Sequence, residues 1–241
     1  MLNMRKEGLN DVNHNVQIRA RKIMTSSSRP SDSVIQLIES IEHDVILGRI
    51  LPSSRLIEDH LMEDYAAKRH VVRSALVELG RLGVVVKPPH LGASIRRFDR
   101  KSLAALYHMR SVLHRAAVEL FPLPVDLDRI ESLVRAQKAH ETAAASGNLV
   151  AIHAANMAFH REFYGLCGNP YLDESIRLHD WLSFPARAYG IADRGALELA
   201  CRDHAEMVAC VQSCDRERLI QLSLSHMNRA REIYETKFLA L

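Results

Sequence analysis

Apolar residues recur every three or four positions along most of this chain, the period of a helix with one buried face. The first such stripe is Val34, Leu37, Ile38, Ile41 and Val45. Ser31 or Asp32 can cap that helix, and Gly48 can end it. The stretch GRILPSSRL then reads as an extended link turning at Pro52, followed by a short helix from about Ile57 to Tyr65. Lys68 to Gly83 is the next helix, with Val72, Leu76, Leu79 and Leu82 on its apolar face. Val84–Val86 and Ala93–Ile95 read as two strands joined by the turn PPHLG. Helices followed by a hairpin predict a winged helix-turn-helix over residues 31–97, with His90, Leu91 and Gly92 at the tip of the wing.

A charged linker at 98–101 separates this unit from a stretch without strand-like alternation. Six helices are predicted there, at about 99–121, 126–146, 148–166, 169–190, 195–213 and 215–238. Pro122 and Pro124, Gly147, Gly168-Asn169-Pro170 and Ser213-Cys214-Asp215 punctuate them. The fold class is therefore mainly α: an N-terminal winged helix-turn-helix, then an all-α six-helix bundle over 102–241. Residues 1–30 are polar, lack a period and read as a flexible tail.

Composition changes this picture mainly through where charge lies. The net charge is only +3, but residues 1–101 carry 17 Lys and Arg against 12 Asp and Glu, and the rest 15 against 17. Within 68–101 the balance is 9 against 2. A basic segment on a mildly acidic body predicts a nucleic-acid surface on one unit only. Arg69 and Arg73 are four apart and share one face of the 68–83 helix, suited to a DNA major groove. Gly92 would let the wing's backbone approach a phosphate or a groove wall closely. The four cysteines show no CxxC pair, no signal peptide is visible and no apolar run could span a membrane. Reduced thiols in a cytoplasmic protein are expected.

The candidate chemistry of the bundle lies where polar residues interrupt apolar stripes. Arg110 falls in the series Leu103, Leu106, Arg110, Leu113, Ala117, Leu120. A guanidinium facing a core needs an anion, either an internal carboxylate or the carboxylate of a ligand. Asn156 and His160 interrupt Leu149, Ile152, Phe159 and Phe163 on the third helix. His204 accompanies Met207, Val208 and Val211 on the fifth, and His226 lies in line with Leu219, Leu222 and Ile233 on the sixth. Imidazoles converging from three helices would make a metal site, although a single buried histidine is more often a hydrogen-bonded core residue. His153, His179, Trp181, Arg187 and Tyr189 are bystanders or wall residues on this reading. Nothing in the spacing of Cys201 and Cys210 favours them as ligands.

Two resemblances sharpen these expectations. The pattern Gly48, Pro52, Arg55-Leu56, Glu58, Leu61, then Arg69, Val72-Arg73, Ala75-Leu76, Leu79, Gly83 and Gly92 resembles the DNA-binding domain of GntR-family bacterial transcription regulators. It covers about Val34 to Ile95 and implies DNA contacts from Arg69 and Arg73, with Arg55, Lys68, His70, His90 and Gly92 nearby. Lys68, His70 and Val71 replace the family's usual serine, threonine and proline, which implies a different operator. Asn156, Phe159-His160, Phe163, Gly168-Asn169-Pro170 and Leu172, then His204, Asp215 and His226, resemble the FCD effector domain of the FadR-type branch. This match covers about Leu103 to Tyr234, and six helices suit its VanR-like subgroup. Such domains often bind a divalent metal through one aspartate and three histidines, with an organic acid completing the site. The resemblance therefore implies Asn156, His160, His204 and His226 as ligands, zinc or nickel as the ion, and Arg110 and His114 at the effector. Asn156 stands where aspartate is usual, which implies weaker or more selective metal binding. His114 stands where a glutamate often follows the arginine, implying either an effector unlike the common sugar acids or a repacked wall.

The function expected is a transcription regulator that is not an enzyme. It would be a repressor, binding a double-stranded DNA operator as a homodimer under control of a small carboxylate effector, with no membrane partner. Alternatives are a regulator for which the ion is itself the signal, and a metal-dependent enzyme fused to a DNA-binding domain. Against the enzyme, no GxSxG-type nucleophile motif and no acid with an evident general-base role accompany the histidines.

Overall fold

A computed structural model describes residues 30–239. The expected tail at 1–30 lies outside the described residues but for its last. Helix α1 spans Asp32–Ile46, with Ser31 extended at its N-cap and Asp32 in the first turn, where the helix dipole favours an acid. Gly48 follows its end at φ +70, a left-handed conformation that glycine adopts without strain. Strand β1 is Arg55–Leu56, helix α2 is Glu58–Asp64 and helix α3 is Arg69–Arg81. Strands β2 (Val85–Val86) and β3 (Ala93–Ile95) form the hairpin.

The sheet is antiparallel, in the order β1-β3-β2, with Arg55 opposite Ser94 and Val85 opposite Ile95. The extended link expected before α2 thus supplies a third strand, too short to show a period of its own. At the wing tip, His90 and Gly92 both take positive φ, 64° and 76°.

The linker expected at 98–101 is shorter and better anchored than its charge suggests. Asp99 caps helix α4, Arg100–Glu119, in a reciprocal arrangement with Ser102, so the helix begins inside that stretch. Phe98 is buried, and its amide donates to the Tyr234 hydroxyl at 3.1 Å. Helices α5 (Leu127–Ser146), α6 (Leu149–Gly165), α7 (Pro170–Arg187), α8 (Arg194–Ser213) and α9 (Arg216–Phe238) complete the bundle, with a single 3-10 turn, Ala188–Gly190, after α7. Asn148, Asn169, Asp193 and Asp215 cap α6 to α9 with side-chain oxygens on backbone amides. Asp215, part of the expected effector-domain pattern, is used in this way. Leu120, expected on the inward face, is half exposed because α4 stops at Glu119.

One apolar cluster joins the two units. Val34, Ile41, Val72 and Ile95 of the winged unit share it with Leu103, Tyr107, Phe184, Tyr189 and Tyr234 of the bundle. Gly83 sits so close to α7 that a Cβ there would stand 2.2 Å from Leu182 Cδ2. The winged unit is docked against the bundle rather than tethered to it. No helix among the described residues is long and apolar enough to cross a membrane.

Candidate functional site

All six bundle helices line one internal cavity of about 120 Å³, which limits its occupant to a small molecule. Arg110, Asn156, His160 and His226 of the interrupted stripes line it, and His204 adjoins His160 and His226. His160 from α6, His204 from α8 and His226 from α9 each present a ring nitrogen within 4.8 Å of the others. His226 Nε2 lies 3.3 Å from both His204 Nε2 and His160 Nε2. Asn156, one turn before His160, lines the same cavity.

The surrounding hydrogen bonds fix which ring nitrogens are open. His226 Nδ1 is 2.9 Å from the Asp203 carboxylate, which also accepts from Arg229 at 2.7 Å. A carboxylate there holds the proton on Nδ1 and leaves Nε2 as a lone pair. His204 Nδ1 lies 3.1 Å from His140 Nδ1, so His204 also has a protein partner on the side away from the cluster. Two imidazole N–H groups competing for the single lone pair of His226 would be poorly served. Three lone pairs around one cation would be well served. Ring nitrogens bound to a common zinc-like ion at tetrahedral angles stand roughly 3.3 Å apart. The donor set therefore fits a divalent metal at His160, His204 and His226, with the Asn156 carbonyl within the same cavity.

Beside the histidines lies an unfilled set of donors. Arg110 pairs with Asp180 through Nη2 at 2.9 Å, so the internal carboxylate exists. Its Nε and Nη1 nevertheless have no hydrogen-bond partner though buried, and neither does His114 Nε2; the guanidinium lies over the Tyr107 ring at 5.2 Å. His114 Nδ1 is held 2.8 Å from the Tyr164 hydroxyl. Arg187, a second cavity guanidinium, reaches only the Asp180 carbonyl, the Ser183 hydroxyl and the Met157 sulfur. Unpaired guanidinium N–H groups of this kind are what a carboxylate or another anion would satisfy.

Burial holds His114, His160 and His204 well below the ordinary imidazole value of 6.5, with neighbouring positive charge adding to the effect. Burial also lowers His140 to about 4. Burial raises the Asp203 carboxyl, but hydrogen bonds from His226 and Arg229 outweigh this and leave it below its ordinary value. The unfolded chain takes up these imidazole protons near pH 6.5, and the folded chain does so only at lower pH. Their stabilisation is thus complete above about pH 6.5 and is lost as pH falls toward the depressed folded values. Metal-free protein should accordingly melt at steadily lower temperature between about pH 7 and pH 4.5. A level melting temperature across that range would contradict the burial of neutral imidazoles.

Of the bystanders, His153 and Arg187 line the cavity and Trp181 lines an outer cleft. His179 is spent on the Ser175 carbonyl, and the Tyr189 hydroxyl donates to the Ile50 carbonyl. Cys201 Sγ stands 3.8 Å from His140 Nδ1, while Cys210 is packed in the core. The sequence reading missed His140, Tyr164, Asp180, Asp203 and Arg229. His140 carried a readable signal, since Leu133, Gln137 and His140 are spaced four and three like the other interrupted stripes.

In the winged unit Arg69 and Arg73 are exposed on α3, as are Lys68 and His70 beside them. Glu58 Oε2 is 2.9 Å from Arg73 Nε and 3.7 Å from Arg69 Nη1, and Asp59 is 2.7 Å from Arg69 Nη2. Exposed pairs of this kind are worth about 0–1 kcal/mol, so phosphate or a base edge can displace them. Arg55 and Gly92 border one cleft with Lys87 and Leu76, and His90 is exposed at the wing tip.

The family "Bacterial regulatory proteins, gntR family" matches residues 34–95, and the FCD domain matches residues 105–229, 125 of the 241. The HTH-type transcriptional regulator YdhC of Bacillus subtilis (strain 168) is 23% identical over 202 residues, covering 83% of this chain and 90% of that protein. The structure of E. coli McbR/YncC is similar at a TM-score of 0.69 and 20% identity, over 86% of this chain and 99% of that one. A GntR transcriptional regulator from Rhodococcus sp. RHA1 is similar at 0.67 and 19%, over 85% and 98%. These two likenesses concern the fold. With an FCD domain behind a winged helix, the chain belongs to the GntR family of DNA-binding transcription regulators.

Proposed function

We propose that this regulator is a homodimeric repressor whose hold on its operator is set by a small carboxylic acid bound beside a divalent metal in the helical domain. The observation that carries this reading is the meeting of three imidazoles with a buried guanidinium whose Nε and Nη1 are open. His160, His204 and His226 would hold the ion, zinc or nickel by donor type, with the Asn156 carbonyl beside them. The ion would supply positive charge at the head of the pocket. None of these four side chains is negative, and the Asp203 carboxylate behind His226 is shared with Arg229, so a bound divalent ion would leave positive charge for an anion to balance. Arg110 and His114 line the same cavity, and Arg110 Nε and Nη1 and His114 Nε2 would orient a carboxylate there.

Control of DNA binding has a short path in this fold. His153, His160, Tyr164, Asp180 and Arg187 line both the inner cavity and an outer cleft against α1, where Glu42 meets His153 at 3.1 Å. An acid can shift the docking of the winged unit only as far as its affinity differs between the two arrangements. Met109 and Val112 of α4 and Tyr171 and Leu178 of α7 are exposed apolar side chains suited to a second copy. A dimer would present two copies of α3 to successive major grooves.

The test is operator affinity in a panel of small carboxylic acids, using metal-loaded full chain and a duplex selected from random sequence. At least one acid should change affinity by about 5- to 150-fold, the usual span of such coupling. The change should vanish in Arg110→Lys, which keeps a charge for Asp180 but loses the guanidinium donors. An undiminished response in that variant would place the effector elsewhere.

A further inference from the structure

The cavity is chemically two-ended. Its polar end holds His160 and His226 with Arg110, His114 and Asp180. Along α6 the lining residues run from His160 back to Ile152, and along α9 from His226 on to Ile233. Eight and seven residues of helix carry the wall roughly 10–12 Å from the imidazoles. At that far end Ile191 and Leu197 join Ile152 and Ile233. None of these four side chains can donate or accept a hydrogen bond, while His153, Asn156, Arg187 and Arg229 supply the polar groups elsewhere along the cavity. Ile152, Ile191 and Leu197 also line a separate cleft bordered by Gly147, Arg194 and Arg202, so the apolar end lies next to the protein surface.

Resting on the carboxylate pocket proposed above, we infer that the effector is a monocarboxylic acid with an unbranched or lightly branched apolar tail, lying with its head at Arg110 and its tail against Ile152, Leu197 and Ile233. A hydroxyl or a second carboxylate at the far end of such a tail would leave water for four aliphatic side chains that offer no partner. An alkyl chain exchanges water for aliphatic contact at every carbon.

The experiment is calorimetric titration of the zinc-loaded full chain with acetate, butanoate, hexanoate and octanoate, and with gluconate and hexanedioate as polar counterparts of hexanoate. Affinity should rise about fourfold for each added methylene until the wall is covered. Hexanoate should bind at least ten times more tightly than gluconate or hexanedioate. Ile233→Gln should flatten the chain-length series; should that variant not fold, the series in the unaltered protein still decides. Gluconate or hexanedioate binding as well as hexanoate, with binding lost in Arg110→Lys, would overturn the apolar tail and leave the carboxylate pocket standing. Failure of every acid to bind would overturn both.

Discussion

Arg69→Ala and Arg73→Ala are each expected to abolish specific DNA binding without unfolding the protein. An arginine set bidentate on guanine is worth about 1–3 kcal/mol of discrimination, and the proposed homodimer would lose two such contacts per substitution. Folding should hardly change, because both side chains are largely exposed and their pairs with Glu58 and Asp59 are exposed ones. Fluorescence anisotropy on a selected duplex, alongside melting temperature, separates the two effects. Unaltered DNA affinity in both variants would show that α3 is not the reading helix.

Arg110→Met should lower folding stability by about 3–5 kcal/mol, the usual cost of stranding one member of a buried pair. The Arg110 and Asp180 side chains are 5% and 12% exposed, so water does little to replace the lost partner. Arg187 does not substitute, since it donates to the Asp180 backbone carbonyl rather than to the carboxylate. Arg110→Met with Asp180→Leu should recover most of the loss, because an apolar pair of similar size removes both charges. Urea denaturation of the two single variants and the double variant measures this directly. A near-neutral Arg110→Met would mean that Asp180 is not held buried as a carboxylate.

The local period carried much of this structure. The stripe of α3, its two arginines and the hairpin after it were legible because each occupies one short, self-contained pattern. Gly92 read as a turn residue and takes positive φ, whereas Gly83, expected as the last residue of the helix, lies beyond its end at Arg81 and takes positive φ as well. Three of the four proposed metal-site residues were legible as imidazoles breaking apolar stripes, a signal that burial makes costly to carry without purpose. What pairs with them was not legible. Asp203 adjoins His204 in sequence, yet its work is done on His226, 23 residues away. Asp180 meets Arg110 across 70 residues, and no helical period records such a meeting. Strand β1 escaped because two residues cannot show alternation. The docking of the winged unit escaped because a charged stretch such as RRFDRK looks like a tether, while Phe98 within it is buried against Tyr234.

The most direct measurement is metal content by elemental mass spectrometry, after chelator treatment and reloading with zinc or nickel. One ion per chain is expected in the unaltered protein, and none in His204→Ala with His226→Ala. Stoichiometric metal retained by that double variant would contradict a metal centre at His160, His204 and His226, and so would no metal in the unaltered protein after loading.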